Sequence, residues 1–109
     1  MARTPTPEEI TVLNRNLTRG FESMLAKHTF KPGQFVRWKE GLKNKSLPEY
    51  NTPAIVWETL PSPIFDNTKT ITAGSKYFKE PLDIVLGVMD EGAFILLHYD
   101  SRRLEPMPQ

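Results

Sequence analysis

The chain contains no cysteine, which removes disulfides, thiolate nucleophiles and Cys-ligated zinc or iron–sulfur sites. It has no apolar run near the ~18 residues that a membrane span needs. Its opening, Met1-Ala2-Arg3-Thr4-Pro5, carries no apolar leader core. Little net charge remains either: fourteen basic and thirteen acidic residues leave +1, a balance that limits non-specific attraction to phosphate. Together these absences make a soluble, cytoplasmic protein the expectation. Catalytic signatures are missing too. There is no Gly-x-Ser-x-Gly, no phosphate-cradling glycine loop and no His-Glu-x-x-His. His28 and His98 fall in different elements, and neither has a partner at a metal-ligand spacing. His98 and Asp100 could share a strand face, but a histidine hydrogen-bonded by a neighbour is the expected reading. The chain is therefore expected to be non-catalytic and to need no metal or cofactor.

What is present fits one domain, 1–109. A domain of this size buries roughly two thirds of its unfolded surface, enough for a core without staples. Thr6-Pro7-Glu8-Glu9 is a helix start: Thr6 caps, Pro7 suits the first helical position, and Glu9 stands where a capping box needs its acid. Ile10, Leu13, Leu17, Phe21, Met24 and Leu25 then recur at steps of three and four, placing one apolar face on a helix over about 7–27. That face must be covered in cis, by a partner or by self-association, which makes Leu13, Leu17, Phe21 and Met24 candidate interface residues. Its polar face mixes Arg15 and Arg19 with Glu8, Glu9 and Glu22, so membrane binding is not expected.

The remainder reads as short strands separated by turn residues: 34–39, 54–60, 82–89 and 93–99, then Asp100-Ser101-Arg102-Arg103 and a last extended piece over 104–107. Asp90-Glu91-Gly92 between two alternating runs is a hairpin signal. Pro61-Ser62-Pro63 is expected to stop the second strand, because proline cannot donate to a ladder. Gly87 in mid-strand suggests a bulge or sharp bend. Residues 61–81 form a long insertion in which 68–72 suggest a short extra hairpin.

The pattern Phe30-x-x-Gly33-x-x-Val36-Arg37 resembles the opening strand of SH3-like small β-barrels, including KOW-type ribosomal domains and the nitrile hydratase β-subunit barrel. The resemblance implies an α+β, mainly β fold: an N-terminal amphipathic helix, then a five-stranded SH3-like barrel over about 33–107 with a long insertion between strands 2 and 3. In such barrels the long first loop, here 40–52, often lines a binding groove. Trp38, Trp57, Tyr77 and Phe78 are the groove residues this placement suggests. Lys31-Pro32-Gly33-Gln34-Phe35-Val36, a long loop and Pro53-Ala54-Ile55-Val56 also resemble the plasmid-maintenance toxin ribonucleases. There an arginine normally precedes the proline of the second strand. Thr52 stands in its place here, so a stabiliser for charge on a scissile phosphate is missing unless Arg37 or Arg102 reaches the site.

Charge is distributed unevenly. Residues 27–45 hold Lys27, Lys31, Arg37, Lys39, Lys43 and Lys45 against Glu40 alone, whereas 80–91 hold Glu80, Asp83, Asp90 and Glu91 with no basic residue. Basic residues interleaved with Phe30, Phe35 and Trp38 are the ingredients of a single-stranded nucleic-acid site. Lys31, Arg37, Lys39, Lys43, Lys45, Arg102 and Arg103 would form it. The competing expectation is that Asp100 or Ser101 caps a turn while the arginines pair with the acids near Glu80 and Asp83. The leading functional expectation is a small bacterial or phage adaptor that binds a protein through the barrel groove and helix. An RNA or single-stranded DNA binder is the alternative, and a toxin-like endoribonuclease comes third.

Overall fold

A computed structural model describes residues 3–65 and 80–108. Helix α1 spans Pro7–Leu25, and its start is the capping box read from the sequence. The Glu9 amide donates to Thr6 Oγ1 at 3.2 Å, and the Thr6 amide donates to Glu9 Oε1 at 3.0 Å. Arg3 clamps the same carboxylate with both terminal nitrogens, at 2.6 and 2.7 Å. The helix ends at Leu25, two residues before the expected end, because Ala26 is already extended while its amide still donates to the Glu22 carbonyl.

Five strands follow: β1 (Phe35–Trp38), β2 (Ala54–Ile64), β3 (Leu82–Asp90), β4 (Ala93–Tyr99) and β5 (Leu104–Pro106), with a 3₁₀ turn at Ser101–Arg103 before the last. All pairings are antiparallel, and the order across the sheet is β4-β3-β2-β1-β5. The sheet is not closed, since β4 and β5 stand at its two edges. The architecture is thus α+β, mainly β: one helix and an open five-stranded sheet.

Alternation sorts the side chains into two faces. Val36, Trp38, Ala54, Val56, Ile84, Leu86, Val88, Tyr99 and Leu104 point to one side, where Phe30 joins them in the core. Burying each large apolar side chain contributes roughly 1.5–3 kcal/mol. Trp38 and Tyr99 meet edge to face with ring centroids 5.5 Å apart. Their strands are separated by β2 and β3, a span of about 14 Å in a flat sheet at ~4.8 Å per strand. The sheet therefore curls strongly toward its inner face. Burial pushes the Tyr99 phenol above its ordinary pKa, and its hydroxyl donates to the Leu47 carbonyl at 2.9 Å.

Two features of the strands differ from expectation. β2 runs through Pro61 and Pro63 to Ile64. Proline is tolerated there because β1 pairs only with the Ala54–Ile55 end, leaving the rest of β2 an edge on that side. The pairing with β3 also slips between Thr59 and Ile64, so the prolines fall in an irregular stretch. Second, Gly87 keeps regular pairing, with Ile55 on one side and Leu96 on the other. The bulge lies on β2 instead, between Val56 and Glu58. The extra hairpin read over 68–72 lies outside the described residues.

Asp90 pairs with Ala93, leaving a two-residue turn in which Glu91 and Gly92 have φ of 48° and 85°. Such a turn matches strand twist but strains a glutamate, which asparagine replaces at lower cost. Glu91→Asn should raise stability by about 0.5–1 kcal/mol in urea denaturation, with an unchanged denaturant slope. The cap offers a second check. Arg3 first, then the Thr6 amide and hydroxyl, hold the Glu9 carboxyl at about 2, down from 4.5. A depressed carboxylate stabilises the fold above its unfolded pKa and loses that contribution as pH falls through the folded one. An NMR titration should place the Glu9 midpoint near 2, and Arg3→Ala should move it back toward the ordinary carboxylate range.

Candidate functional site

The seat of α1 decides which surface remains available. Immediately after β1, Lys39 is only 3 % exposed. Its ammonium donates to the Ser23 carbonyl and, at 2.6 Å, to the Ala26 carbonyl. The last carbonyls of a helix have no intrahelical donor, and the negative end of the helix dipole favours a cation there. Burial lowers the Lys39 pKa, opposed by the charges of Glu105 and Asp100. Lys39 thus serves as a helix anchor and is not displayed for phosphate, contrary to its placement in a nucleic-acid site.

So anchored, α1 turns Gly20 and Ser23 toward the sheet. With Asn16 and Arg19 they form one wall of a cleft of about 1190 Å³, whose other wall includes Arg37, Tyr50, Asn51 and Glu105. Met24 is half-buried. Leu13, Leu17, Phe21 and Leu25 face away, with Leu17 69 % and Phe21 66 % exposed. No residue of the helix is fully buried. The candidate interface residues are therefore held together on one outward stripe, with Met24 at its inner margin.

The sheet presents a second apolar surface. The register aligns Phe35, Ile55, Gly87 and Leu96 in one row across four strands, on the face opposite the core. The Phe94 ring lies over Gly87, so close that a Cβ there would sit 2.3 Å from its ring tip. Trp57 flanks that ring at 6.3 Å between centroids. Phe35, Trp57, Phe94 and Leu96 are all exposed.

The two tryptophans thus separate. Trp57 is displayed, whereas Trp38 is a core residue whose indole nitrogen donates to the Pro48 carbonyl at 2.6 Å. The reading of Trp38 as a groove residue is corrected accordingly: its parity on β1 puts it beside Val36, inside. Tyr77 and Phe78 lie outside the described residues. The cluster of Phe94, Leu96 and Gly87 was missed by motif reading, although alternation along 93–99 already set Phe94 and Leu96 on one face.

Most of the remaining cations are committed to neighbours. Arg37 bonds Glu105 at 2.8 Å and reaches Asn51 at 3.4 Å. Arg102 grips Asp100, itself 2 % exposed, through Nε and, at 2.7 Å, through Nη2. Arg103 bonds Glu80 at 2.6 Å and the Leu42 carbonyl at 3.1 Å, and Asn44 holds the other Glu80 oxygen. Asp100 caps the 3₁₀ turn through the Arg102 amide, and Asp83 receives both the amide and the hydroxyl of Ser101. Lys43 sits near the Tyr50 ring, 6.0 Å from its centroid. Lys31 is exposed and Lys45 half-exposed in loops. Of the seven, Arg37 and Lys39 line the cleft beside α1, Arg37 paired with Glu105 and Lys39 out of solvent. His98 and Asp100 do not meet: His98 is exposed, while Asp100 has left the strand and is buried against Arg102.

Among the described residues, no group of three or more His, Cys, Asp or Glu is placed to hold a metal. No helix among them is long and apolar enough to cross a membrane. Compared with protein-family models, curated proteins and solved structures, the chain matches none.

The aromatic cluster yields a direct test. Gly87→Ala should drive the Phe94 ring off β3, at a cost of about 1 kcal/mol, the low end for added bulk because that ring has solvent to swing into. Trp57 emission should shift as its neighbour leaves. The Gly87→Ala/Phe94→Ala pair should be less than additive in denaturation, since the ring clash is then gone and only the tight 3.0 Å contact with the Ile55 methyl remains.

Proposed function

We propose that the chain is a non-catalytic interaction module, built on an SH3-like small-barrel plan, which binds a protein through the outward face of α1. The exposed cluster around Trp57 supplies a second contact. Two features support the SH3-like plan: the order β5-β1-β2-β3-β4, with a 3₁₀ turn leading into the last strand, and the curl that brings Trp38 to Tyr99. The fold itself does not specify the function.

The observation that carries the reading is the stripe of Leu13, Leu17, Phe21 and Leu25, exposed along a helix whose attachment to the sheet uses other residues. Covering four such side chains is worth at most roughly 6–12 kcal/mol. Association costs ~4–15 kcal/mol. The stripe alone is therefore near break-even, and further contacts would decide the affinity.

A nucleic-acid reading ranks lower because Arg37, Lys39, Arg102 and Arg103 are each held by an acid or a carbonyl. A ribonuclease ranks lower again, since Arg37 and Arg102, the candidate replacements for the arginine missing at Thr52, are so engaged.

The test compares wild type with Leu17→Asp, whose melting temperature should be unchanged because Leu17 is exposed. Wild type should either self-associate or retain one identified protein that then binds in purified form. Leu17→Asp should weaken that binding at least tenfold. Equal binding by both, or no binding by wild type, overturns the reading. Saturable quenching of Trp57 by mixed-sequence single-stranded RNA at physiological salt would also overturn it, in favour of nucleic acid.

A further inference from the structure

The spacing along α1 bears on what covers the stripe. Leu13, Leu17 and Phe21 follow one another at steps of four, and Ile10 and half-buried Met24 extend them symmetrically about Leu17, whereas Leu25 has Glu9 as its counterpart. A two-fold axis through Leu17 sets Leu17 against itself, Leu13 against Phe21 and Ile10 against Met24 of the facing helix. An interface in which one patch meets its own copy is the geometry of a closed dimer.

We infer that α1 pairs antiparallel with α1 of a second copy, centred on Leu17. The inference rests on the reading of this helix face as an interaction surface. It adds which partner covers the face and in which direction.

Three further observations agree. The start of the helix carries Glu8 and Glu9, the latter already paired with Arg3, and although its last turn holds no basic residue, Lys27 follows its end. Antiparallel pairing lays each acidic start near the other copy's Lys27, and opposes the two helix dipoles favourably. Parallel pairing would set the acids side by side. Next to the stripe stand Asn14 and Gly20, which fall opposite one another about the same axis, so the seam meets no like charge. Arg15 and Arg19, also related by the axis, lie on the far side of the helix. Finally, Gly20 and Ser23 turn toward the sheet from outside the stripe, so the packing of α1 on its own sheet does not use the stripe.

The absence of cysteine makes the test clean, because any disulfide comes from the introduced thiol. Wild type should sediment at dimer mass at tens of micromolar. Leu17→Asp should raise the dissociation constant at least tenfold while leaving the melting of the monomer, compared at concentrations below the dissociation constant, unchanged. Leu17→Cys should cross-link under mild oxidation, since its two copies meet at the axis. Ile10→Cys alone should not, because the two positions lie about 21 Å apart along the axis at ~1.5 Å per residue. Ile10→Cys combined with Met24→Cys should cross-link again.

A wild type that stays monomeric at ~100 µM, where a dimer of this kind would be populated, overturns the inference. So does Ile10→Cys linking as readily as Leu17→Cys, which signals parallel pairing. If the chain is monomeric yet loses a different, identified protein on Leu17→Asp, the two-copy inference falls and the interaction reading stands.

Discussion

The contact between Trp38 and Tyr99 is the constraint on which the rest of the sheet depends. The two rings come from strands that are not neighbours, and they meet only because the sheet bends over its own inner face. Among the described residues no helix layer covers that face; the curled sheet, with Phe30 and Leu47 from its flanking loops, supplies the cover. The polar tips are satisfied by consecutive residues of the loop after β1: the Trp38 indole donates to the Pro48 carbonyl and the Tyr99 hydroxyl to the Leu47 carbonyl. A buried indole or phenol without an acceptor costs several times what its hydrogen bond contributes. Sheet curvature and loop position are thereby coupled: the loop cannot lift away without stranding two donors in the core.

The balanced charge has a structural counterpart. Acids and bases are interleaved around the 3₁₀ turn and β5: Arg103 meets Glu80 and Arg37 meets Glu105 across long stretches of sequence, and Arg102 meets Asp100 two residues away. Asp100 and Glu80 are nearly out of solvent, so losing an arginine there would leave a buried carboxylate uncompensated. Charge in this chain largely holds the last strand in place. Apolar side chains are displayed on the outward side of α1 and around Trp57, while the cleft between α1 and β1 is lined mainly by polar residues.

Local patterns were the legible part. The capping box at Thr6 and Glu9, the tight turn at Glu91-Gly92 and the turn before the last strand all follow from residues close in sequence, whereas the pairing of β1 with β5 joins residues about 70 apart. Alternation also grouped Val36 with Trp38 correctly. It could not say which group faces inward, because that depends on how distant strands curl together, and so Trp38 and Trp57 looked equivalent. Lys39 is a related case. Parity sends it, with Arg37, to the face away from the core, and its amide continues the β1–β5 ladder to the Arg103 carbonyl; it is out of solvent because the end of α1 lies over it. Its acceptors are main-chain carbonyls, which leave no trace in residue type. Pro61 and Pro63 were read as a stop because nothing local reveals that β2 has an unpaired side there.

The attachment of α1 has a consequence for how this surface could change over generations. Lys39 holds the helix through the carbonyls of Ser23 and Ala26, and every residue type carries a carbonyl. The side chains of the outward stripe take no part in that anchorage. Orientation and recognition are thus recorded in different chemistry, one in backbone and the other in side chains. Substitutions along the stripe can change what the helix displays while leaving its posture intact, so that face is free to diverge on a frame that does not.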